Sequence, residues 1–339
     1  MVTFNQKLID NYIDKIISDL DKYRNYYSSV ISIYIGGGTP NSLDDNNLSR
    51  LLEAINKLGI NPVEYTVEIN PELLTISQVK LFKKYNINRI SIGAESLNDD
   101  HLKFLGRHHK KADIINSINM LRDNGISNIN LDFIYAHPLD NKKLLQAELD
   151  EAISLKIPHF SFYTLILEEN TIFSFKGLKM LDEDTISELM DLVNDKLKGY
   201  HHYEISNYAL KGYESIHNSM YWTSNEYIGI GMGASGYLDG IRYDNPKRIS
   251  DYLNGIKPDL NKLSIYDKKS EYFILGLRLL DGVSISKYEE LFNSRLEDDF
   301  DISDMLKYKL LEIDGDILRL TYNGYKLGNQ VFEVFLWER

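Results

Sequence analysis

The chain has 339 residues, a formal net charge of -12, 43% hydrophobic residues and no cysteine. The acidic balance argues against nucleic acid or anionic membrane as the main partner, because phosphate recognition needs clustered Lys and Arg, and the missing thiols exclude disulfides, thiolate zinc sites and cysteine nucleophiles. No apolar run approaches the ~20 residues needed to span a bilayer, and the start "MVTFNQKLIDNYIDK" has no secretory apolar region, so the expectation is a cytoplasmic protein with no transmembrane segment.

Leu8, Tyr12, Ile16, Leu20 and Tyr23 recur at helical spacing and predict an amphipathic first helix. A strand over Val30–Ile35 runs into Gly36-Gly37-Gly38-Thr39-Pro40, and Leu48, Leu51, Leu52, Ile55 and Leu58 predict a helix stopped by Gly59. There follow a strand over Glu64–Ile69, a helix around Ser77–Tyr85, a strand over Arg89–Ile92 and a helix over Ala112–Asp123 ended by Asn124-Gly125. A strand over Asn128–Ile134, a helix over Lys142–Leu155 and a strand over His159–Leu165 continue the alternation. This pattern predicts an α/β fold with a parallel sheet and right-handed crossovers. No strand alternates cleanly between polar and apolar, as expected for a sheet covered on both faces. A partial (β/α) barrel and an open doubly wound sheet both fit, and both put a ligand at the C-terminal strand ends.

From about Ser250 the character changes. Helices over Ser270–Leu280 and Ser284–Phe292 precede a hairpin of Leu310–Ile313 and Ile317–Thr321 around Asp314-Gly315-Asp316. The expected organisation is a main domain over 1–248 and a small helical, winged-helix-like domain over 249–339. That segment is acid-rich and has no basic stripe, so it reads as a packing cap rather than a DNA reader.

Three consecutive glycines each cost roughly 0.5–1 kcal/mol against alanine in a regular element. Neither the Lys-Ser/Thr pair of a phosphate loop nor the Rossmann spacing follows them. Two readings of this stretch remain: a tight structural turn, or direct backbone contact with a polar small molecule. Glu68 near the end of the second strand, Glu95 just past the third, Arg107 in "LGRHH" and Asp132 inside "NINLDFIYAHP" fall at the same strand ends. A single acid in a buried strand is ordinarily structural. Carboxylates and an arginine beside a glycine turn suit a zwitterion with hydroxyls, and S-adenosylmethionine has those features.

"YIGGGTP", "VEINPE", "NRISIGAESLNDDHLKFLGRHH" and "INLDFIYAHP" together resemble the radical S-adenosylmethionine proteins related to oxygen-independent coproporphyrinogen III oxidase. "HYEISNYALKGYESIHNSMYWTSNEYIGIGMGASGYL" narrows the resemblance to their HemW-like heme chaperone branch, and "EYFILGLRLLDGV" with "LRLTYNGYKLGNQVFEVFL" resembles the small C-terminal domain of the same family. The resemblance covers essentially the whole chain. It implies that Gly37, Gly38 and Thr39 lie against the amino-acid end of S-adenosylmethionine, with Glu68 on its amino group and Arg107 on its carboxylate. Glu95 and Asp132 would meet the ribose hydroxyls. The position of Glu95 more often carries Gln in the family; glutamate accepts but cannot donate, and it adds charge. "HNSMYW" matches the HNxxYW pattern of the chaperone branch, implying that His217, Tyr221 and Trp222 contact heme, with His217 a candidate iron ligand. The competing reading makes His217 a helix-capping residue among aromatic neighbours.

The family hallmark is a CxxxCxxC loop holding a [4Fe–4S] cluster, and this chain has none of it. The expectation is a truncated N-terminus, because the strand over Val30–Ile35 would otherwise be an unprotected sheet edge; a naturally cluster-free member is the alternative. As written, the chain cannot cleave S-adenosylmethionine reductively, and whether it catalyses anything stays open. The expected function is heme and S-adenosylmethionine binding with delivery of heme to client proteins, and membrane contact only through those clients. The alternatives are an oxygen-independent coproporphyrinogen III oxidase and a cluster-free binding protein.

Overall fold

The structure, a computed structural model, describes residues 5–165 and 178–336. The chain divides into two compact units. The sheet unit contains Tyr34–Ser42 and Glu64–Glu214; the other is discontinuous, assembled from Met1–Ile33, Leu43–Val63 and Ser215–Arg339.

The sheet strands are β1 (Ser32–Ile35), β2 (Glu64–Ile69), β3 (Arg89–Glu95), β4 (Ile129–Tyr135), β5 (His159–Thr164), β6 (His201–Glu204) and β7 (Asn207–Ala209). They form one seven-stranded sheet in the order β1-β2-β3-β4-β5-β7-β6. Strands β2 to β5 pair in parallel with sequential neighbours. An open doubly wound sheet reverses strand order at a switch point; this sheet does not, and it is the partial (β/α) barrel. β7 and β6 close it as an antiparallel pair that the alternation rule did not predict. β1 lies at an edge of the sheet.

In chain order, the first six helices are α1 (Gln6–Leu20), α2 (Asp45–Asn56), α3 (Ile76–Lys84), α4 (Asp99–Phe104), α5 (Lys111–Asp123) and α6 (Lys142–Ser154). In the sheet unit, α3 begins with a capping box between Thr75 and Gln78, which satisfies two otherwise orphaned N–H groups. Val67, Ile90, Ile92, Leu131 and Phe133 are buried along β2, β3 and β4. These apolar side chains, all but Leu131 β-branched or aromatic, suit a strand covered on both faces. Strand β3 runs past Ile92 to Glu95, with a bulge between Gly93 and Glu95 opposite β4. Gly93-Ala94 carries little strand propensity, so this extension left no sequence signal.

In the discontinuous unit, α1 and α2 are tied by their caps. Asp44 caps α2 and also accepts from Gln6 Nε2 at 2.9 Å, while Asn47 Nδ2 donates to Asp10 at 2.8 Å. An antiparallel sheet follows from Ser235–Leu238, Ile241–Asp244 and Asp259–Lys262. The C-terminal part sets helices Ile265–Gly276 and Ile285–Phe292 beside an antiparallel sheet of Val283–Ser284, Ile317–Leu320 and Leu311–Asp314, the winged-helix-like arrangement. Its core is aromatic: Phe273 stacks on Phe335 at 4.7 Å and contacts Tyr288 and Phe300.

Candidate functional site

The glycine turn leaves β1 and is shaped from one side by the protein itself. A Cβ on Gly36 would come within 2.6 Å of Glu68 and 2.7 Å of the Tyr34 ring, so no side chain fits there. Gly37 and Gly38 have nothing within 4 Å of the Cβ position. Gly37 has φ +85° and Thr39 has φ 60°, conformations costly for a residue with a Cβ and concentrated at functional turns. The turn thus packs on Glu68 through Gly36 and is open at Gly37 and Gly38.

Glu68 is held on both oxygens. Tyr34 Oη donates to Oε1 at 2.6 Å and the Gly37 N–H donates to Oε2 at 2.9 Å. Burial and the Glu68 charge push the Tyr34 phenol far above its ordinary range, which keeps it a donor. Sequence reasoning passed over Tyr34, because its role depends on a strand brought alongside by the fold.

Asp132 faces Gly93 on β3 and Ser161 on β5 across the sheet. It accepts from Ser91 Oγ at 2.9 Å and Asn130 Nδ2 at 2.8 Å. Behind it, Asn130 Oδ1 accepts from His159 Nδ1 at 2.6 Å, and Tyr203 Oη donates to His159 Nε2 at 2.9 Å. Desolvation raises the Asp132 pKa against the opposing hydrogen bonds, and lowers that of His159 well below the ordinary histidine value. His159 is thus a neutral, internally satisfied group.

Glu95 sits just past the bulge with φ 60° and is paired with Arg107. Its carboxyl pKa is raised by burial, with Arg107 pulling the other way. The structure therefore brings Glu95 and Arg107 together and fills the guanidinium with an internal carboxylate.

His217, Tyr221 and Trp222 lie on the helix Ile216–Trp222 of the discontinuous unit. The side-chain cap of this helix is Ser215, which accepts from Asn218 N, so capping is not the task of His217. Both ring nitrogens of His217 are engaged: Nδ1 with Ser32 Oγ and Nε2 with Tyr221 Oη, each at 2.9 Å. The Tyr221 ring also stands edge-on to Tyr227 at 4.7 Å, and the Arg278 guanidinium lies 4.2 Å from the Trp222 ring centroid.

A [4Fe–4S] cluster of the expected kind takes thiolate ligands. None of the 339 residues is a cysteine, so the residues present do not fit that group. No helix among the described residues is long and apolar enough to cross a membrane.

Residues 4–152 match the Radical SAM superfamily and residues 266–327 match the HemN C-terminal domain. The heme chaperone HemW of Lactococcus lactis subsp. lactis (strain IL1403) is 38% identical, over 97% of this chain and 90% of its own length. The heme chaperone HemW of Bacillus subtilis (strain 168) is 35% identical over 91% of this chain and 86% of its length, and that of Escherichia coli (strain K12) 30% identical over 97% and 90%. Among solved structures, coproporphyrinogen III oxidase from Escherichia coli, a radical SAM enzyme, superposes with a TM-score of 0.85 at 17% identity, covering 99% of this chain and 85% of that one. At that identity the likeness is one of fold.

Proposed function

The chain belongs to the heme chaperone HemW family within the radical SAM superfamily, and on that premise we propose that it binds heme and S-adenosylmethionine and passes heme to heme-accepting client proteins. The observation that carries this reading is the likeness to curated heme chaperones along nearly the whole chain. A cytoplasmic location, with membrane contact only through clients, belongs to the same proposal.

For S-adenosylmethionine, the residues at the strand ends suit the group. Gly37, Gly38 and Thr39 would offer backbone, Glu68 would hold the ammonium, Arg107 the carboxylate, and Glu95 and Asp132 the ribose hydroxyls. When bound, it supplies a sulfonium bearing methyl and adenosyl groups. Arg107 must first exchange Glu95 for the ligand carboxylate, which lowers affinity. Calorimetry on the intact chain tests this: Glu95→Gln should tighten binding by freeing the guanidinium, and Arg107→Ala should weaken it. Equal affinity in all three proteins would remove Arg107 and Glu95 from the site.

For heme, His217 would contact or ligate iron, with Tyr221 and Trp222 as flat aromatic surfaces. Ligation through Nε2 requires Tyr221 to release its hydrogen bond. Heme titration followed by absorbance tests the assignment: His217→Ala should shift the Soret band and weaken binding, whereas Tyr221→Phe should retain or strengthen it. An unchanged heme spectrum with a lowered unfolding temperature in His217→Ala would leave His217 as a tether to Ser32 alone.

A further inference from the structure

In the sheet unit, four atoms of one buried polar cluster have no hydrogen-bond partner. His101 on α4, His137 just past β4 and Asp140 in the turn before α6 are 4%, 0% and 6% exposed. Their donor atoms lie within 4.8 Å of one another. His101 Nδ1 is 3.8 Å from Asp140 Oδ1, and His137 Nε2 is 3.6 Å from Asp140 Oδ2. Both separations exceed hydrogen-bond length, and all four atoms are buried without a hydrogen bond. Buried polar groups are ordinarily satisfied, so several orphans facing one point call for a missing partner.

We propose that His101, His137 and Asp140 form a buried binding site for a divalent first-row transition cation, with zinc the ion it suits best. Two imidazole nitrogens and one carboxylate are a borderline-soft donor set that favours zinc over magnesium or calcium. At zinc–ligand bonds of about 2.0–2.1 Å, donors around a tetrahedral ion are about 3.3 Å apart. The 3.6 and 3.8 Å separations therefore need to contract only slightly. The two imidazoles meet edge to face, with centroids 4.4 Å apart and planes at 86°. The local backbone turns His137 and Asp140 toward one another: Ala136 has φ 58°, and the Asp140 N–H donates to the His137 carbonyl at 2.8 Å. The Leu139 N–H lies 3.3 Å from His137 Nδ1. Ligation through Nε2 puts the ring proton on Nδ1, and this long contact gives way; Leu139 is an exposed residue whose N–H can turn to water. A cation would clip α4, the helix leading into Arg107, to the turn after β4.

Cobalt is the probe, because four-coordinate Co²⁺ has visible ligand-field bands and zinc does not. The full chain, produced in cobalt-supplemented medium and desalted, should show these bands with stoichiometric cobalt, and added zinc should bleach them. Asp140→Asn, which preserves shape, should lower zinc affinity by at least ~10-fold, the lower end of what a disturbed ligand shell costs. His137→Leu should abolish the bands; circular dichroism identifies the folded variants, and the wild-type spectrum stands as a test by itself. Absence of bands in folded wild-type protein overturns the proposal. So do bands that persist in Asp140→Asn and His137→Leu but disappear when His201 and His202 are replaced by Gln, which would mean adventitious binding at other histidines.

Discussion

The sheet unit holds two polar clusters with opposite hydrogen-bond accounts. At the strand ends, Glu68 has Tyr34 and Gly37, Asp132 has Ser91 and Asn130, and Glu95 has Arg107. Around His101, His137 and Asp140, four buried atoms have no hydrogen bond. The first set is a preorganised surface, and a ligand entering it must compete with bonds already made. The second set gains bonds from a ligand and loses almost none. Burial and charge alone do not distinguish these cases; the partner of each atom does.

The largest expected effect lies in the satisfied set. Asn130→Ala removes the bonds to Asp132, Ser91 and His159 at once and should destabilise the chain by about 3 kcal/mol in urea unfolding, the upper range for orphaned buried groups. A loss below ~1 kcal/mol would break the contrast. Acid should come next. Burial holds His202 down to about 4 while the unfolded chain titrates near 6.5, and His159 is shifted in the same direction. Below 6.5 the unfolded state takes up protons that the fold refuses, so stability falls as pH drops from 6.5 to 4, by about 1–2 kcal/mol for a group shifted this far. His202→Gln should flatten part of that slope in denaturant midpoints measured across the window, and an unchanged slope would discount it. Tyr34→Phe removes one bond to half-buried Glu68 and should cost about 1 kcal/mol. The smallest effect belongs to the unsatisfied set: with chelator present, His137→Leu should change the urea midpoint little, since it removes an orphaned Nε2 and loses only the long Leu139 N–H contact at 3.3 Å. A clear loss of stability there would show that His137 Nε2 already has a partner.

Much of the sheet was legible because its signals are local. The strand Glu64–Ile69 has the bounds its β-branched and aromatic pattern indicates, and the Asn124-Gly125 stop ends α5 where expected, with Gly125 at φ 76°. The strand-end carboxylates were legible because ligands gather at that end of parallel sheets. Their partners were not. The Glu95–Arg107 pair depends on a left-handed backbone at Glu95 beyond a bulge, and the hold of Tyr34 on Glu68 depends on one strand lying beside another. His137 stands in plain view in "AHP" directly after β4, yet its relation to His101 exists only once α4 is folded against the next loop. The antiparallel pair β6 and β7 is short, too short for a periodicity to register.

The discontinuous unit takes its residues from both sides of the sheet unit in the sequence. On the ribosome, all of Glu64–Glu214 emerges before any of Ser215–Arg339. The sheet unit has its full complement of residues while the other still waits for its last and longest segment. Its closure depends on contacts far apart along the chain, which slow folding. The nascent chain thus passes through an interval in which α1 and α2 have emerged without the C-terminal residues of their own unit, and chaperone demand should concentrate there.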